Sequence, residues 1–141
     1  MSVPEPKRTE NKLEVCIKAL DLCTYTLQIT KNKNVFVAEY QDALTDKIIQ
    51  TAIDIHTCVW SANNVLVNSP KSYENRRNLQ ETAAIKCNVL LSLIDIAKPL
   101  FHLSYKRVTY WSGKAIKTRN LIRNWKKSDA ERYKQYKRDV G

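Results

Sequence analysis

The sequence predicts an all-α protein, an up-down-up-down four-helix bundle with a short basic C-terminal tail. Three observations carry this reading. Along four separate stretches, apolar residues recur at steps of three and four, the period of a helix with one buried face. Polar or proline-bearing breaks between the stretches are short enough to return each helix alongside the one before it. The 141 residues contain only two glycines, Gly113 and Gly141, so the Asn-Gly and Gly-rich turns on which hairpin-rich β folds lean are missing. Hydrophobic residues make up 43% of the chain, enough for one core in a chain of single-domain length.

Residues 1–10 are polar, carry Pro4 and Pro6, and are expected to form a disordered arm. The bundle is expected over residues 11–128. Its first stripe is Leu13, Cys16, Leu20, Cys23 and Leu27, ending at the polar turn Lys31, Asn32, Lys33 and Asn34. The second is Leu44, Ile48, Ala52, Ile55, Val59, Ala62 and Leu66, closed by Asn68, Ser69 and Pro70. In the third stripe Leu79, Ala83, Cys87, Leu90, Ile94 and Ala97 precede Pro99. That proline removes the bond to the Asp95 carbonyl, so the helix ends or kinks there. The fourth is Val108, Trp111, Ala115, Thr118, Ile122 and Trp125, with Gly113 inside it as the sign of a close helix approach or a kink. Helices of about 20 to 28 residues span roughly 30 to 42 Å. Ser128 with Glu131 three positions on reads as a helix start, so residues 129–141 are expected to form a separate tail, at most a short helix.

Charge is unevenly placed. Residues 1–104 hold 12 Lys/Arg against 11 Asp/Glu, a net of +1, whereas residues 105–141 hold 12 against 3, a net of +9. At 100° per residue, Lys106, Lys114 and Lys117 flank one edge of the fourth apolar arc. Arg119, Arg123 and Lys127 flank the other at i, i+4 spacing, where like charges repel by a few tenths of a kcal/mol per pair. Such a row suits an anionic partner, and nucleic acid is the commonest large polyanion in a cytoplasm, the expected location. The expected nucleic-acid-binding set is Lys106, Arg107, Lys114, Lys117, Arg119, Arg123, Lys126, Lys127, Arg132, Lys134, Lys137 and Arg138. Tyr133 and Tyr136 interleave with the last of these, either to stack on unpaired bases or to pack the tail on the bundle.

Other chemistries lack a basis. Phosphate loops need several clustered glycines. The four cysteines, Cys16, Cys23, Cys58 and Cys87, include no C-x-x-C pair. Cys16 and Cys23 sit about 10 Å apart on one helix, too far for a disulfide, so free thiols packed as small hydrophobes are expected. His56 and His102 are the only histidines; neither belongs to a metal-spaced cluster, and His56 reads as a hydrogen-bonded packing residue. Asp42 and Asp46 form an i, i+4 pair of the kind common on solvated faces. No nucleophile elbow is present. A catalytic site, a cofactor, a metal and a small-molecule substrate are therefore not expected. No apolar run approaches the roughly 18 residues of a membrane span, and no signal peptide is evident.

Several segments carry a family resemblance: Leu22 to Thr26 with Ile29 to Asn32; Ala62-Asn63; Arg76 with Leu79-Gln80; Leu100 to His102; Tyr110-Trp111; and, most specifically, Leu121, Ile122, Arg123, Asn124, Trp125, Lys126, Lys127, Ser128 and Asp129 with Arg132-Tyr133. In order and spacing, residues 12 to 135 resemble the accessory variability determinant (Avd) proteins, small four-helix bundles encoded beside diversity-generating retroelement reverse transcriptases. The resemblance implies a non-catalytic protein that assembles as a homo-oligomer, a pentameric ring with a basic surface. It further implies binding to the reverse transcriptase and to RNA or DNA in support of mutagenic copying of a template RNA into cDNA. Arg119, Arg123, Lys126 and Lys127 occupy the matching basic block. The alternative is a protein–protein adaptor like the intervening-sequence four-helix-bundle proteins, its basic helix docked on an acidic partner.

Overall fold

The computed structural model describes the backbone of residues 5–140 and the side chains of residues 12–139. Four helices, α1 (Glu5–Thr30), α2 (Asp46–Asn63), α3 (Pro70–Leu100) and α4 (Tyr105–Val140), form an all-α four-helix bundle, with no strand among the described residues. Each helix packs on its sequence neighbour, and α4 closes back on α1. Cross-links give the register. Between α1 and α4, Asp21 pairs with Lys114 and the Trp111 indole N–H donates to Thr26 Oγ1 at 3.0 Å. Between α3 and α4, Arg76 meets Asp129 and Arg119 meets Asn88. In both pairs rising numbers meet falling ones, so α4 runs antiparallel to each neighbour.

The stripes expected for α2, α3 and α4 are the buried ones, with two trims: Leu66 lies beyond the end of α2 and is exposed, and Leu79 and Val108 are half-buried at the margins. In α1 the expected stripe is wrong. Val15, Ala19, Leu22, Thr26 and Ile29 face the core with Cys23, whereas Leu13, Leu20 and Leu27 are exposed. Both sets keep helical spacing, so periodicity could not choose between them. The indole of Trp111 seats against Thr26. Buried Thr26 and Thr30 return their hydroxyls to carbonyls four residues back at 2.8 Å, so neither leaves an unmatched polar group.

Local chemistry accounts for the ends. Ser69 and Ser72 form a reciprocal capping box around Pro70, which takes the favoured first position of the helix. Past Pro99, α3 stops at Leu100. His102 takes the left-handed conformation (φ 55°), and the Leu103 N–H returns to the Lys98 carbonyl at 2.9 Å, closing the end as glycine usually does. Between α1 and α2, a 3₁₀ turn (Ala38–Tyr40) and a π turn (Gln41–Thr45) feed α2. Phe36, buried in the preceding loop, packs tilted against Phe101 and edge-on against Trp111.

Three further expectations change. The arm over residues 1–10 falls partly outside the described residues, and from Glu5 onward its backbone is already helical; Pro6 is tolerated because N–H groups in the first turn have no helical acceptor. The break at Ser128 is absent, since α4 runs unbroken to Val140. The reason is Asp129, only 7% exposed, whose carboxylate is held from α3 by Arg76 and Gln80. The tail therefore belongs to the bundle. Finally, a Cβ added at Gly113 would meet nothing within 4 Å, so no close approach requires this glycine. Gly113→Ala is expected to raise stability by about 0.5–1 kcal/mol, read as a higher denaturation midpoint; an unchanged or lower midpoint would contradict it.

Candidate nucleic-acid interface

The twelve cations expected to bind nucleic acid all lie on α4, and the structure divides them. Four are committed to carboxylates. Lys114 reaches Asp21 on α1 at 2.6 Å, Lys126 pairs with Glu81 on α3, Arg132 with Asp129, and Lys134 with Glu131 at 3.6 Å. Three more rest on neutral groups. The Arg119 guanidinium donates to Asn88 Oδ1 at 2.9 Å, Arg107 approaches the Tyr25 hydroxyl at 3.5 Å, and Lys137 lies over the Tyr133 ring. Lys106, Lys117, Arg123, Lys127 and Arg138 are exposed and, among the described residues, make no hydrogen bond or ion pair.

Helical geometry decides which of these act together. At about 100° per residue, Arg119, Arg123, Lys127, Lys134 and Arg138 fall in one sector roughly 100° wide, turned away from the buried side chains of α4. They span about 28 Å of helix at 1.5 Å per residue. Glu131 interrupts this row, and its partner Lys134 leaves both groups well exposed, a pairing worth little in water. Lys106 and Lys117 stand on the opposite flank, toward α1, so the expected set is one strip and a few outliers.

The α3 edge of the strip is more cationic than α4 alone provides. Lys126 holds the Glu81 carboxyl below the usual range, first through a hydrogen bond and then by its charge, with Arg123 and Arg77 adding to the field. One carboxylate there faces three cations. Arg77, which also donates to the Tyr73 hydroxyl at 3.1 Å, was not among the expected residues. Its side chain lies on a helix of near-balanced charge, so only the packing of α3 on α4 reveals it.

Beyond the strip, Arg76 is buried, and burial lowers its pKa; Asp129 opposes that shift and Arg132 adds to it. Tyr133 stacks on Tyr73 of α3 with ring centroids 3.9 Å apart, and the Tyr136 hydroxyl donates to the Asn68 carbonyl at 3.1 Å. Both tyrosines thus pack the end of α4 onto the bundle. All four cysteines are free thiols; burial pushes Cys87 up to about 12, which makes it inert. His56 is half-buried, but its Nδ1 has no hydrogen-bond partner, unlike the bonded packing residue expected. Among the described residues no three His, Cys, Asp or Glu side chains come together to hold a metal ion, and no helix is long and apolar enough to cross a membrane.

Apolar surface also remains uncovered. Leu13, Ile17, Leu20 and Leu27 run along the outside of α1, and Ile85, Val89 and Ile96 along the outside of α3. Because α1 and α3 each pack on α2 and α4, these stripes lie on opposite corners of the bundle. Comparison with protein-family models, curated proteins and solved structures finds no match to the chain.

Proposed function

We propose that this chain is a non-catalytic, nucleic-acid-binding accessory protein of a diversity-generating retroelement. In this reading it binds the reverse transcriptase and the template RNA or its cDNA. The observation that carries the nucleic-acid half is the strip on α4, where Arg119, Arg123 and Lys127 stand in line with no carboxylate partner. Cations on one rigid helix would contact phosphates and orient a strand without reading its bases. The polymerase half rests on the resemblance to the Avd proteins. The opposed apolar stripes on α1 and α3 favour head-to-tail contact between copies, a heterologous interface, and the resemblance to the Avd proteins favours its closure into a ring. A ring repeats the strip, and several weak phosphate contacts then act together.

A binding titration in rising salt tests the strip. Engagement of Arg119, Arg123, Lys127 and one further cation per copy gives a slope of log K against log salt of roughly −3 to −4. Affinity for RNA and DNA that stays constant between about 50 and 200 mM salt would remove the reading. Light scattering on the same samples reports the assembly, and a monomer would remove the ring. A gene neighbourhood lacking a reverse transcriptase with its template repeat would remove the polymerase assignment.

A further inference from the structure

The end of α4 holds a second feature that phosphate contact alone does not use. A cavity of about 180 Å³ is lined by Tyr73, Tyr133 and Tyr136, with the buried Arg76 and Asp129 and with Arg132. The Tyr73 and Tyr133 rings are parallel within 5°, and Tyr136 lies within 20° of Tyr133 at 5.9 Å. The cavity lining carries two guanidinium groups against one carboxylate, an excess of one positive charge. Arg132 Nε is buried there without a hydrogen-bond partner. Because Tyr73 and Tyr133 already stack on each other, an incoming ring meets the edge of that stack and the half-buried Tyr136; with the cationic side chains behind them, these match a flat ring bearing a negative group. The volume falls below the roughly 300–1,000 Å³ of pockets that hold a whole drug-sized ligand, so one ring fits and a dinucleotide cofactor does not.

The cavity lies beside the end of the strip, about 120° around α4 from Lys127, and Lys137, at the same helical angle as Arg119, bridges the two. Lys127 precedes Tyr133 by six residues, about 9 Å of helix, and Lys137 lies over the Tyr133 ring at 5.5 Å. We propose that this tyrosine-walled cavity takes one unpaired nucleotide of a bound strand, its base against the tyrosines and its phosphate toward Arg132. The assignment rests on the nucleic-acid reading above and sharpens it. The bundle then prefers a single strand, because a base locked in a duplex cannot leave its stack without cost.

The test compares a fluorescent oligouridylate with a blunt RNA duplex of equal length, titrated by anisotropy against the full chain and its Tyr136→Leu variant. Oligouridylate affinity is expected to fall at least about fivefold in the variant, as stacking on one aromatic side chain would give, while duplex affinity holds. Equal losses on both, or no loss on either, overturn the proposal and leave the salt-dependent strip standing. Absence of salt-dependent binding by the unmodified chain removes both. Uridine monophosphate competing on equal terms with the strand would assign the cavity to a free nucleotide and overturn the claim for a strand. A measurement on the unmodified chain guards against misfolding of the variant: 5-iodouridine within the strand is expected to crosslink to the peptide holding Tyr133 and Tyr136. Crosslinks found only elsewhere overturn the proposal.

Discussion

Asp129→Ala is expected to destabilise the protein by about 3–5 kcal/mol, the cost of breaking a buried ion pair by removing one partner. The Arg76 and Asp129 side chains are 6% and 8% exposed, and Arg76 Nε stands 2.8 Å from Asp129 Oδ2. Without the carboxylate, the Arg76 guanidinium stays buried beside Arg132 with no opposing charge, and the Gln80 amide loses an acceptor at 2.8 Å. Desolvation already disfavours the charged form of Arg76, and Asp129 is what opposes it. Removing both charges tests this cause, since Arg76→Met with Asp129→Leu should recover most of the loss. Denaturant midpoints measure both variants, and hydrogen exchange should show residues 126–136 opening first in Asp129→Ala. A loss below about 1 kcal/mol, the range of an exposed pair, would mean that solvent reaches the site and that the pair does not clamp α4.

That clamp explains why the end of the fold was harder to read than its middle. Three of the four apolar stripes were legible because burial of Ile48, Ile55, Leu90, Ile94 and Ile122 follows helical period alone. The α1 stripe was not, because this helix is apolar on two faces, and the choice between them depends on a neighbour, Trp111, more than eighty residues away. Phe36 escaped for a related reason: a single aromatic in a loop has no period, and its burial follows from two chain segments meeting. Asp129 looked like the first turn of a new helix because Ser128 and Glu131 satisfy a local capping pattern. A charge pair 53 positions apart in sequence overrides that pattern. The cations of α4 were legible as a group, but not their division into paired and free. Lys114 and Lys126 find carboxylates on α1 and α3, whereas Arg123 and Lys127, on the same helix, do not.

Arg119→Glu, Arg123→Glu and Lys127→Glu together are expected to weaken nucleic-acid binding by at least roughly 10²–10³-fold at about 50 mM salt. The figure follows from counterion release. Every phosphate that goes unneutralised removes a factor that grows as salt falls, and at 50 mM three such phosphates amount to roughly 2.7 decades on a single strand. Reversed charges add repulsion to that loss. The same variant should show a salt slope shallower by about 2 to 3. Folding is expected to hold, because Arg123 and Lys127 make no ion pair among the described residues and Arg119 gives up bonds to two asparagines only. Relief of like-charge repulsion at i, i+4 does not follow, since three glutamates repel as three bases do. Lys106→Glu with Lys117→Glu serves as the control. These cations are exposed, as Arg123 and Lys127 are, but lie on the far flank, so their reversal should cost little beyond a general lowering of positive charge. Equal losses from the two variants would mean that binding follows net charge alone, and the strip on α4 would then have no special standing.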